Sequence, residues 1–241
     1  MKNRIFAVSV LLTLVMTVFA ATAKADDISE AFERGTDAFN RGAYERAIFE
    51  YRAVLVWPGQ HEARAHFNIG VCHYKLGRLR EAASEYRAAI KDRGGKYPSA
   101  SYALGVALRG LQQHREARDA FAQTVEATSN KHAAALFELG LYAHAAGDYQ
   151  AAVDYYSRSI KQSKEQIPPA HNNLGVILAS FGQMDDAVRE FEIALDQSQG
   201  KFDEARDNLA LCHRLLSSKS STLIAELKTS SRPGQIRLAS E

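Results

Sequence analysis

Cys72 and His73 stand side by side in the stretch GVCHYKLGRLREAASEY, residues 70–86. A thiolate is the nucleophilic and metal-binding form of cysteine, and a neighbouring imidazole can draw off its proton. Cys212 beside His213 repeats the pairing near the other end of the chain. A metal site needs more than this. His66 and His73 are seven residues apart, and on one helix seven residues rise roughly 10 Å. Two ligands of one ion at about 2.0–2.1 Å each do not span that distance. HExxH, paired CxxC motifs, a phosphate-binding glycine loop and GxSxG are all missing. No metal, no cofactor and no catalytic centre is therefore expected.

What positions the pair is a repeat. Gly35, Gly70, Gly105, Gly140 and Gly175 are each 35 residues apart, with Ala210 in the sixth register. Twelve residues after each glycine comes an alanine: Ala47, Ala82, Ala117, Ala152 and Ala187. Sixteen after it comes an aromatic: Tyr51, Tyr86, Phe121, Tyr156 and Phe191. A second glycine follows at Gly42, Gly77, Gly147 and Gly182, with Gln112 the exception. Series that keep register this long mark an array of like units.

Each unit reads as two helices. From Arg64 to Leu76 and from Leu79 to Lys91 apolar residues recur at three and four, with Gly77 between them. The second glycine suits the left-handed residue that ends a helix. Gln112 in that conformation is expected to cost about 1 kcal/mol, unless Gly110 lets the turn form earlier. The first glycine lies inside a helix, where it costs about 1 kcal/mol against alanine. Paying that five times implies that a ring or backbone comes too close for any side chain, and the recurring aromatic is the natural neighbour.

These residues carry a resemblance. Leu139-Gly140, Gly147, Tyr149, Ala152 and Tyr156 fit the pattern LG-x6-G-x-[YLHM]-x2-A-x3-[YF], which resembles the tetratricopeptide repeat. The likeness runs from residue 28 to about 197, and Phe202 to Leu216 resembles the helix that closes such arrays. It departs in two ways. Units run 35 residues where the family usually runs 34, and the family's large residue early in the first helix is weak, at Ala31, His66, Ser101, Leu136 and His171. The resemblance implies an all-α fold, a right-handed superhelical solenoid of antiparallel helix pairs. Repeats are expected at about 28–62, 63–97, 98–132, 133–167 and 168–202, with a capping helix at 202–216. Cys72 and Cys212 then fall four units apart, and at about 8–10 Å per packed helix a disulfide between them is not expected.

If the chain is a scaffold, its function lies on the face that packing leaves open. The first helices carry a stripe at i, i+4 and i+7, which shares one helical face. It reads Phe32, Thr36, Phe39; Phe67, Val71, Tyr74; Tyr102, Val106, Arg109; Phe137, Leu141, His144; and Asn172, Val176, Ala179. The resemblance implies that this face lines a concave groove holding an extended peptide or a partner helix. The alternative is that Phe32, Phe67, Tyr102 and Phe137 pack mainly against neighbouring units. Basic clamp residues like those of relatives that hold the acidic tails of cytosolic chaperones are not evident.

The ends bound the setting. Lys2 and Arg4, the apolar run from Ile5 to Ala20 and Ala23-Lys24-Ala25 read as a signal peptide, residues 1–25, cut after Ala25. Removing Lys2, Arg4 and Lys24 from the 30 basic residues leaves 27 against 28 acids, a balance that gives nucleic acid no clustered positive surface. No later stretch is long and apolar enough to span a bilayer. Residues 217–241, SSKSSTLIAELKTSSRPGQIRLASE, are serine-dense and broken by Pro233-Gly234, so a flexible tail is expected, with Leu223 to Lys228 able to form a brief helix on a partner. The expected role is a non-catalytic interaction scaffold of the bacterial cell envelope, most naturally periplasmic. A chaperone-like module for unfolded or extended chains is the alternative.

Overall fold

The computed structural model describes residues 27–57, 59, 61–163, 166–218 and 227–230. The expected signal peptide and the rest of the tail lie outside them. Within them the chain forms eleven helices and no strand. Contacts divide the chain into two compact units, one up to Lys96 and one from Tyr97.

The first unit holds α1 (27–40), α2 (Tyr44–Val54), α3 (Glu62–Lys75) and α4 (Leu79–Asp92). The second holds α5 (Pro98–Gly110), α6 (His114–Ala127), α7 (Ala133–Ala145), α8 (Tyr149–Gln162), α9 (Pro168–Ser180), α10 (Met184–Gln197) and α11 (Asp203–Ser218). The last helix runs two residues beyond the expected cap. Local sequence explains the elements. In α4, LREAASEYRAAIKD, alanine supplies propensity, and Ala82, Ala83, Tyr86 and Ala89 make one buried stripe. Prolines at the first turn open α5 and α9, where a missing N–H costs nothing.

Two helices of a pair are joined by a tight reversal. After α3, Gly77 takes φ +73°. The Gly77 N–H donates to Tyr74 O at 3.0 Å, and the Arg78 N–H to His73 O at 2.9 Å. These bonds satisfy carbonyls that the helix end leaves open. Gln112 adopts the same conformation at φ +62°, with equivalent bonds to Arg109 O and Leu108 O, each 2.9 Å. The turn is not displaced to Gly110, which closes α5 as its last residue. A left-handed glutamine is therefore held there by the bonds on either side.

The seam inside each pair is steric. A Cβ added to Gly35, Gly70, Gly105, Gly140 or Gly175 would sit 2.5, 2.6, 2.6, 2.5 or 2.7 Å from a ring carbon of Tyr51, Tyr86, Phe121, Tyr156 or Phe191. Real Cβ atoms do not approach so closely, so each ring lies flush on bare backbone. All five rings and the alanines four residues before them are fully buried. Burying an aromatic side chain is worth about 1.5–3 kcal/mol, which outweighs the roughly 1 kcal/mol a helical glycine costs. Ala210, in the same register of α11, is exposed. At an exposed position a methyl is tolerated.

Candidate peptide-binding face

The aromatic members of the stripe are walls of the pair seam. The ring centroids of Phe32, Phe67, Tyr102 and Phe137 lie 6.0, 5.7, 5.7 and 5.8 Å from those of Tyr51, Tyr86, Phe121 and Tyr156. All four are buried, as are Val71, Val106, Val176 and Ala179. These contacts are within a pair, and the rings also meet the start of the next one: Phe32 lies 6.4 Å from His61 and Tyr102 4.8 Å from His132. Each ring lies tilted against the aromatic of its own second helix. What stays partly open is Thr36, Phe39, Tyr74, Arg109, Leu141 and His144.

In the first unit, the end of this face is a cavity of about 470 Å³ lined by Phe32, Glu33, Thr36, Asp37, His61 and Arg64, among others. The Arg64 guanidinium lies over the Phe32 ring at 4.0 Å, a cation–π contact.

The second unit carries the more articulate surface, and its key residues fall in a column the stripe omits. Two residues before each helix glycine come Glu33, Asn68, Ala103, Glu138 and Asn173, with Asn208 in the same register before Ala210. Glu138 is fully buried, accepts a hydrogen bond from Arg109 Nη1 at 2.7 Å, and leaves Oε1 without a partner. Burial pushes its carboxyl up to about 7 against the opposing pull of Arg109. Arg109, Glu138, Leu141, Tyr142 and His144 line a cavity of about 360 Å³, and Thr229 of the chain's own tail borders it.

Residues 227–230 are extended and lie on α9 and α11. Asn208 Oδ1 accepts from the Lys228 N–H and its Nδ2 donates to Lys228 O, both at 2.8 Å. Asn173 does the same to Ser230, accepting from its N–H at 2.7 Å and donating to its carbonyl at 2.8 Å. Asn172 Nδ2 adds a second donor to Lys228 O at 2.9 Å, while Asn172 Oδ1 accepts from Asn208 at 2.8 Å. In an extended chain the N–H and C=O of one residue point the same way, and residues two apart share that direction. Two amide side chains thus act as a neighbouring strand would. Leu227 packs against the apolar cluster that holds Val176, Ala179 and Cys212, and Lys228 Nζ donates to Asp207 at 2.7 Å. These four residues are docked rather than solvated, because buried amides supply the partners their backbone would otherwise find in water; most of the Leu223 to Lys228 stretch lies outside the described residues.

A tetratricopeptide-repeat family profile matches residues 32–101 and 102–168, more than half of the 241 residues. The chain is a tetratricopeptide-repeat protein. All of α10 and α11, and α9 after Pro168, lie beyond the matched residues. No curated protein matches the sequence. Among solved structures, a MamA crystal structure is 22% identical with a TM-score of 0.59, covering 69% of this chain and 95% of that one. MamA from Desulfovibrio magneticus RS-1 is 18% identical with a TM-score of 0.61, covering 73% and 97%. PilF from Pseudomonas aeruginosa is 18% identical with a TM-score of 0.63, covering 85% and 97%. At these identities the likeness is one of fold.

Within the tetratricopeptide-repeat frame the thiols and imidazoles are packing groups. Cys72 is fully buried and burial pushes its thiol up to about 12, so almost no thiolate forms near neutrality. Burial also lowers His73, which keeps the imidazole neutral. Both cysteines are free. His66 and His171, equivalent in register, each meet a glutamate of their own second helix: His66 Nδ1 to Glu85 at 2.6 Å and His171 Nδ1 to Glu190 at 2.7 Å. Among the described residues no group of three or more His, Cys, Asp or Glu is placed to hold a metal ion, and no helix is long and apolar enough to cross a membrane.

Proposed function

We propose that this tetratricopeptide-repeat protein is a non-catalytic interaction scaffold of the bacterial cell envelope. In this reading it is exported by residues 1–25, and it carries five repeats and a closing helix. It holds an extended segment of a partner protein on the face of its first helices. Arg109, Leu141, His144 and Asn172 belong to that surface, and the buried rings of Tyr102 and Phe137 hold it in shape from beneath. One observation carries the reading: an extended segment, residues 227–230, already lies on this face with its main chain bonded to asparagine side chains. Main-chain recognition of this kind gives affinity with little dependence on sequence, and that favours the chaperone-like alternative as the second reading.

A photo-crosslinking residue placed at His144, beside the cavity, tests both in a bacterial host making the full chain. The same probe at Arg118, exposed on α6, is the control. A discrete product at position 144 and none at 118 supports the scaffold, and a broad ladder at 144 alone supports the chaperone. Equal products at both positions would remove the groove from the account.

A further inference from the structure

The amide column and the tail suggest more than a place to bind. Asn172, Asn173 and Asn208 are almost completely buried yet fully engaged. Each is spent on the tail or on orienting its neighbour. Such a set would be costly to leave unpaired, since buried amides without partners lose their hydration for nothing. An occupant with its main chain extended is what completes them.

The side chains of that occupant meet distinct surroundings. Leu227 sits against an apolar group. Lys228 reaches Asp207 in a solvent-exposed pair, which selects charge weakly. Thr229 borders the cavity at Arg109 and Tyr142. Ser230 is buried, and a small side chain stands there.

We propose that Asn172, Asn173 and Asn208 form a main-chain clamp for an extended peptide of the pattern apolar–basic–any–small, and that the chain's own Leu227, Lys228, Thr229 and Ser230 are its tethered occupant. A partner segment must displace the tail to bind. This rests on the peptide-binding reading above and adds its ligand class and its regulation. The occupant belongs to the same chain as its site, so it competes as an intramolecular ligand. Such a competitor weakens the apparent binding of a free peptide of the same sequence.

The test uses the full chain and a fluorescent peptide with the sequence of residues 223–233. Lys228→Pro with Ser230→Pro removes both N–H donors that the clamp reads and leaves every helix untouched. By fluorescence anisotropy this variant should bind the peptide at least about tenfold more tightly than the unaltered chain. A peptide carrying the same two prolines should not bind. Adding Asn173→Ala and Asn208→Ala to the tail variant should abolish capture, with circular dichroism reporting that the helices persist; the prolyl peptide gives the same information if they do not. Equal affinity of variant and unaltered chain would overturn the tethered competitor, and no binding by either would overturn the clamp. Crosslinking at position 144 separates the two readings. A partner captured equally by the variant and the unaltered chain keeps the groove and discards the tail, whereas peptide binding with no crosslinked partner keeps the clamp and discards the scaffold.

Discussion

The seam inside each helix pair and the face of the first helices use the same glycine register for opposite ends. In the seam, one contact is made five times: a ring on bare backbone, with a Cβ excluded by 2.5–2.7 Å approaches. On the face, the column two residues before the glycine changes from Glu33 to Asn68, Ala103, Glu138, Asn173 and Asn208. A close-packed interior accepts few shapes, so the seam repeats. Buried polar groups need partners rather than one shape, so the column varies, and variation is where one array comes to differ from another in what it holds.

The largest effect that sharpens this contrast is in the seam. Phe121→Ala should cost about 3–5 kcal/mol by urea unfolding, as expected for emptying a buried aromatic site. Gly105→Ala should also destabilise, because overpacking against Phe121 at about 1–3 kcal/mol exceeds the roughly 1 kcal/mol that alanine returns in propensity. A Gly105→Ala chain more stable than the original would show that the ring yields easily and that the seam is not steric.

A smaller effect belongs to the face. Glu138 is raised from 4.5 to about 7 by burial, so the folded chain holds this proton more tightly than the unfolded one. Its contribution to stability is therefore greatest below about 4.5, falls as pH rises towards 7, and is flat above. Glu138→Gln should remove that slope, worth about 1–3 kcal/mol over the interval. A slope unchanged in the variant would place the titration elsewhere.

The smallest is His66, raised chiefly by its hydrogen bond to Glu85. A raised histidine contributes fully below its unfolded pKa near 6.5 and loses that contribution as pH climbs through its folded value. His66→Gln should flatten this second, more alkaline decline, by about half a kcal/mol for a pair partly open to water. Thermal melts between pH 6 and 8 would detect it, and an identical profile in the variant would count against the ion pair.

The seam was legible in the sequence because its physics is periodic. Glycine inside a helix is expensive, and its recurrence with an aromatic sixteen residues on allows few causes other than close approach. The pair reversals were legible too, down to the strain assigned to Gln112. The face was legible only in part. The stripe through Phe32, Phe67, Tyr102 and Phe137 was found, but not that these rings turn to their own second helices, since both alternatives satisfy the same spacing. Spacing makes Asn172 a member of the stripe and says nothing of its amide partners. Asn173 and Asn208 were missed, although polar residues in a column of an otherwise buried helix were a usable signal. Nothing local in ELKTSS marks residues 227–230 as docked, because the partners of that backbone stand 20 and 57 residues away in sequence.

Gln112 has one more consequence. Its left-handed backbone at φ +62° holds free energy that a glycine would not, and this is released whenever the α5–α6 reversal opens. Among the pair reversals of the second unit it is thus the one that separates at least cost. The amide protons of Gln112 and Gln113 should trade with solvent deuterium ahead of their counterparts at Gly147 and Gly182, giving the array a designated point of first fraying.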